Sequence, residues 1–117
     1  TVELAMMASK HPEFKRFGPI VRRHMRTTGK LARTCRAWSE AGDFPEVHLM
    51  DTYNTTHVTV QSVQKEVERL DSIDLGELDP AWGDKATVRM SRRSLIGVAN
   101  QILVCLDAVL ECLREPV

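Results

Sequence analysis

The sequence predicts an all-α fold, an antiparallel three-helix bundle with room for a short extra helix at the N-terminus. Three observations carry that prediction. Gly and Pro cluster at Gly18-Pro19, at Gly42 to Pro45 and at Gly76 to Gly83, which divides the 117 residues into a leader and three long stretches. Within each stretch the apolar residues recur at steps of three and four, the period of a helix laid against a core. The one β-branched run has no second strand to pair with, and a lone short strand is not stable.

The leader, residues 2–10, holds Leu4, Ala5, Met6 and Met7, enough for a short helix docked on the bundle. The first long helix is expected at 19–41. Pro19 suits its first turn, Gly42 the position just past its end, and Val21, Met25, Thr28, Ala32, Cys35 and Trp38 form its stripe. The second is expected at 45–71, with Met50, Tyr53, His57, Val60, Val63, Val67 and Leu70 on one side. Its middle, Thr55 to Val60, alternates like a strand, but the flanking periodicity argues for a continuous helix. The third is expected at 85–113. Asp84 can cap its first turn, and Val88, Leu95, Ile96, Ala99, Ile102, Leu103, Leu106, Val109, Leu110 and Leu113 make a broad apolar face.

Composition is consistent with one domain spanning 1–117: 43% of residues are apolar and 27% charged, which is too apolar for disorder. The chain starts at Thr1 rather than Met, which reads as a piece of a longer polypeptide. Three cysteines, an odd number without zinc-like spacing, point to reduced thiols and a cytoplasmic or nuclear setting. No run approaches the roughly 18 apolar residues of a membrane span, so no membrane partner is expected.

The zero net charge hides a pattern. Residues 1–43 sum to +5, residues 44–84 to −7 and residues 85–117 to +2. The basic side of the first helix (Arg22, Arg23, Arg26, Lys30, Arg33 and Arg36) lacks the interleaved aromatics of a base-stacking surface, so nucleic acid is not expected as a partner. His11, His24, His48 and His57 share no ligand spacing with the cysteines, and neither a metal nor a cofactor is expected. Cys35, Cys105 and Cys112 read as small hydrophobes on inner stripes. No nucleophile elbow, phosphate loop or paired-carboxylate pattern is present, so the chain does not read as an enzyme.

The informative polar faces belong to the second and third helices. Gln61, Gln64, Glu68 and Asp71 follow one another at steps of three and four, so one side of the second helix ends in carboxylates. Arg89, Arg92 and Arg93 open the third helix, and Ile96 and Asn100 follow Arg92 at steps of four. An antiparallel hairpin brings these acids and arginines together at its loop end. They form either a surface for a partner or an internal salt-bridge seam.

These residues also carry a resemblance. The stretch KEVERLDSID at Lys65 to Asp74, followed by VRMSRRSLIGVANQILVCLD at Val88 to Asp107, resembles the last two helices of a BAG domain, a three-helix chaperone-cofactor module. The resemblance implies binding to the nucleotide-binding domain of the seventy-kilodalton heat-shock chaperone and promotion of ADP release. It implies Asp71 as the carboxylate contact and Arg92 as the key arginine, with Asn100 where the family has Gln and Gln61 where it has an acid. The runner-up reading is a helical-bundle adaptor that grips a partner helix, as focal-adhesion-targeting or vinculin-like bundles do. Such a bundle exposes an apolar groove, whereas a BAG-type surface is polar along its second and third helices. A third possibility is self-association through the apolar stripe of the third helix.

Overall fold

The computed structural model describes residues 10–114. They form α1 (Pro12–Ala41), α2 (Glu46–Asp71), a single 3-10 turn (Pro80–Trp82) and α3 (Lys85–Arg114), and every pair of long helices is in contact. Connectivity is up-down-up, so α1 and α3 run parallel and α2 runs against both. The expected leader helix lies outside the described residues.

α3 supplies the spine of the core. Val88, Leu95, Ala99 and Leu106 are fully buried along one face, joined by Ile102, Val109 and Leu113. Against them pack Val63, Leu70 and the uncharged Thr56 of α2, and Phe14, Phe17, Val21 and Cys35 of α1. The expected start of α3 is confirmed in detail: the Asp84 carboxylate accepts from Thr87 N at 2.7 Å, and that bond holds its carboxyl below the usual range.

The first helix begins earlier than its sequence signals suggested. Pro12 rather than Pro19 occupies the first turn, with His11 as N-cap, and Pro19 lies inside the helix. An interior proline costs about 3 kcal/mol. Phe14 and Phe17, 0% and 1% exposed, share the core face with Val21, and burying them gains roughly 1.5–3 kcal/mol each. Tertiary burial therefore carries the helix through the Gly18-Pro19 step. At the other end Gly42 behaves as expected, at φ 66° with its N–H on Ser39 O, and Asp43 N reaches Trp38 O.

The β-branched middle of α2 is helical throughout. Thr56 and Thr59, both buried, turn their hydroxyls back to the carbonyls of Thr52 and Thr55 at 2.7 and 2.8 Å, so each polar group entering the core brings its own partner.

Some stripe assignments move. Met25 and Met50 fit the helical period but remain 49% and 64% exposed, because they sit where the stripe drifts off the bundle axis. Cys105 is exposed and Cys112 only half-buried, since both lie on the flank of α3 turned toward α1 rather than on its core face. Cys35 is buried, and burial together with neighbouring Cys112 pushes its thiol up to about 11. Contrary to the reading of apolar runs, an 18-residue window of α3 has mean hydropathy 1.7, which by length and composition alone is enough to cross a membrane. A core helix passes the same test; α3 supplies the core face of the bundle, with 33% of that window buried.

Candidate functional site

The end of α2 and the start of α3 meet around a shallow recess of about 240 Å³ lined by Asp71, Arg89, Arg92, Arg93 and Ile96. The antiparallel hairpin brings them together. Asp71 is the last residue of α2, and the arginines occupy the second and third turns of α3, directly across the connection. Ile96 is half-buried, while Asp71, Arg89 and Arg93 are exposed. Arg92 is half-buried and donates from Nη1 to the Ile73 carbonyl at 3.4 Å, so it ties the exit of α2 to α3.

One carboxylate thus faces three guanidinium groups, yet among the described residues none of the four belongs to an ion pair. Of the two arrangements open to these charges, the salt-bridge seam between α2 and α3 is not formed among the described residues. The ion pairs of α2 reach α1 instead. Arg16 binds Glu66 through both terminal nitrogens and Glu13 through Nε at 3.3 Å, and Arg69 reaches Glu13 at 3.4 Å. Burial pushes the Glu13 carboxyl up, but the hydrogen bonds and charges of Arg69 and Arg16 outweigh it and hold it below its ordinary value.

The remaining expected site residues are dispersed. Gln61, Gln64 and Asn100 are exposed farther along the same two helices and do not line the recess. Glu68 borders a different hollow of about 640 Å³, shared with His11, Glu13, Lys65, Arg69 and Asp74. The two carboxylates stand on one side of α2 three residues apart, but only Asp71 lines the recess. Among the described residues no group of three or more His, Cys, Asp or Glu side chains is arranged to hold a metal ion.

The hinge of the hairpin is firmly anchored. Trp82 lies against the His11 ring at 4.6 Å, the His11 ring meets Phe14 at 5.4 Å, and Lys10 N donates to Trp82 O. His11 Nδ1 accepts from Glu13 N at 3.1 Å, which requires the unprotonated nitrogen, and burial lowers its pKa despite Glu13 nearby. The connection that frames the recess is therefore pinned to the start of α1. Nothing in the local pattern around His11 announced that role.

A second surface feature is of the kind the runner-up reading called for, an apolar groove whose place the sequence did not indicate. On the opposite flank of α3, two adjoining apolar recesses of about 380 and 270 Å³ run between α3 and α1 and share Cys105. The signal that could have shown it was the set of small residues at Gly29, Ala32 and Ala108.

No family model, no curated protein and no solved structure matches this chain.

Proposed function

We propose that the chain is a BAG-like co-chaperone module that binds the nucleotide-binding domain of the seventy-kilodalton heat-shock chaperone in the cytoplasm and promotes ADP release. The observation that supports this reading is the recess itself. Asp71, Arg89 and Arg93 stand exposed at the α2–α3 junction with no ion pair among the described residues. Charges left in water by their own protein keep their full capacity to pair with a partner, and such charge-assisted bonds give both orientation and strength. A module of this kind needs no reacting group. It acts by binding the open form of the chaperone better than the closed one, which shifts the population toward release.

The test is titration of the full chain into the isolated nucleotide-binding domain, with and without ADP. Binding is expected to be tightest without nucleotide, and Arg89→Ala or Asp71→Ala should each cost on the order of 2 kcal/mol of affinity with unchanged helicity. Arg92→Ala is the less clean variant, because that side chain also holds the Ile73 carbonyl. Absence of binding to the nucleotide-free domain would overturn the proposal.

A second reading, a bundle that receives a partner helix, is favoured by one specific observation: the apolar groove between α1 and α3. It uses the opposite flank of α3, so the two readings do not compete for the same residues.

A further inference from the structure

The α1/α3 groove extends from Met25 to Glu40 along α1, about 22 Å or four helical turns. Small residues make its walls: Gly29 and Ala32 on α1, Ala108 on α3. Ala32 and Ala108 allow the backbone of an added helix to approach closely, as bulky ridges would not, while the Arg33 guanidinium lies over Gly29. The outer wall is uncharged over its first half, for α3 carries no Asp, Glu, Lys or Arg from Ser94 to Leu106 and Val104 beside the groove is 69% exposed, while the exposed Asp107 and Glu111 adjoin its second half around Ala108 and Cys112.

Two further observations point to an occupant. Thr28 lines the floor at 6% exposure, and its hydroxyl has no hydrogen-bond partner. Unlike Thr56 and Thr59, it does not bond back along its own helix, which leaves an unsatisfied hydroxyl buried at the groove floor. The α1 wall is also mainly cationic, with Glu40 at its far end as its one acid. Arg22, Arg26, Arg33 and Arg36 follow at steps of four, seven and three and share one ridge. Of these, Arg26, Arg33 and Arg36 have no ion pair among the described residues, and Arg36 itself lines the groove. Like charges at steps of three and four weaken the helix that carries them. The Arg33 guanidinium lies beside Gly29, where a Cβ would stand 3.3 Å from Nη1.

We infer that this groove receives an amphipathic helix from a protein partner, with an apolar face for the floor and acidic residues along the flank that meets the arginine ridge. The inference rests on the second reading above and adds the chemistry of the partner. A concave floor with one cationic wall fits a helix, whereas a lipid surface would call for a protruding apolar face.

The test uses three blocked helical peptides of about 18 residues, identical in a Leu/Ala face but carrying Glu, Gln or Lys along one flank. Binding is measured by anisotropy and by protection of the exposed Cys105 thiol from a thiol reagent. The Glu peptide should bind best and shield Cys105. Arg33→Glu combined with Arg36→Glu should weaken it about tenfold and favour the Lys peptide. Ala108→Trp, at an exposed position that can take the ring without disturbing the core, should abolish binding with helicity unchanged. If the Glu and Gln peptides bind alike, the groove reading stands and the charge selection is overturned. If no peptide binds, both fall. A dimer that Ala108→Trp returns to monomer, or anionic vesicles bound in preference to the Glu peptide, would overturn the inference in favour of a second copy or a membrane.

Discussion

The α1–α2 seam and the α2–α3 recess are built from the same two kinds of charge, yet they use them in opposite ways. At the seam, Glu13, Arg16, Glu66 and Arg69 consume one another in a chain of ion pairs, and the Glu66 side chain keeps only 13% of its exposure. In the recess, Asp71 and three arginines share a hollow without pairing. A charge satisfied within the fold has already given its energy to stability. One left in water has not, and only a partner can draw on it.

Stability measurements can break that comparison at its strongest point. Arg16→Ala leaves Glu66 largely buried without its cation, and we expect a loss of about 1–3 kcal/mol in urea unfolding. Arg89→Ala, by contrast, should stay within about 0.5 kcal/mol of the parent. Equal losses from the two would mean that the recess arginines are as structural as the seam.

Acid sharpens the same contrast. His11 and His24 both have lowered pKa values, in each case chiefly through burial, with Arg23 adding to the effect at His24. The unfolded chain then takes up protons more readily than the folded one, so their contribution is fully present above about pH 6.5 and is lost as pH falls through the folded values. Protonation of His11 also removes the acceptor that caps α1. Glu13 adds a further loss below about pH 4.5. Thermal unfolding should therefore show a falling Tm from pH 7 to pH 5. His24→Gln should flatten that dependence, and Arg89→Ala should leave its shape unchanged.

The smallest effect is expected in the groove. Thr28→Val removes a buried hydroxyl that has no partner in the free protein, so stability should be unchanged or higher by up to about 1 kcal/mol. A loss of 1 kcal/mol or more in urea unfolding would show that the hydroxyl is already used.

How much of this was readable in advance differs between elements. The span of α3, its Asp84 cap and nearly all of its core face followed from spacing, because a helix packed on two neighbours must repeat its apolar residues every three to four positions. The Asp71–Arg89–Arg92–Arg93 grouping was legible for a related reason: residues flanking one connection in a hairpin are near in space whatever the rest of the fold does. The start of α1 was misread because Gly18-Pro19 is a local breaker, and the burial of Phe14 and Phe17 that overrides it depends on helices distant in sequence.

By itself, then, the sequence determined that there are three long helices, most of the stripe that each buries and the charges gathered at the α2–α3 junction, since periodicity and adjacency along the chain are local properties. Tertiary structure alone decided which charges neutralise one another. Arg16 and Glu66 are 50 residues apart, and no spacing rule pairs them. It also decided that Cys105, Gly29 and Ala108 border a groove rather than a core, because α1 comes to lie beside α3 only after the chain has returned through α2.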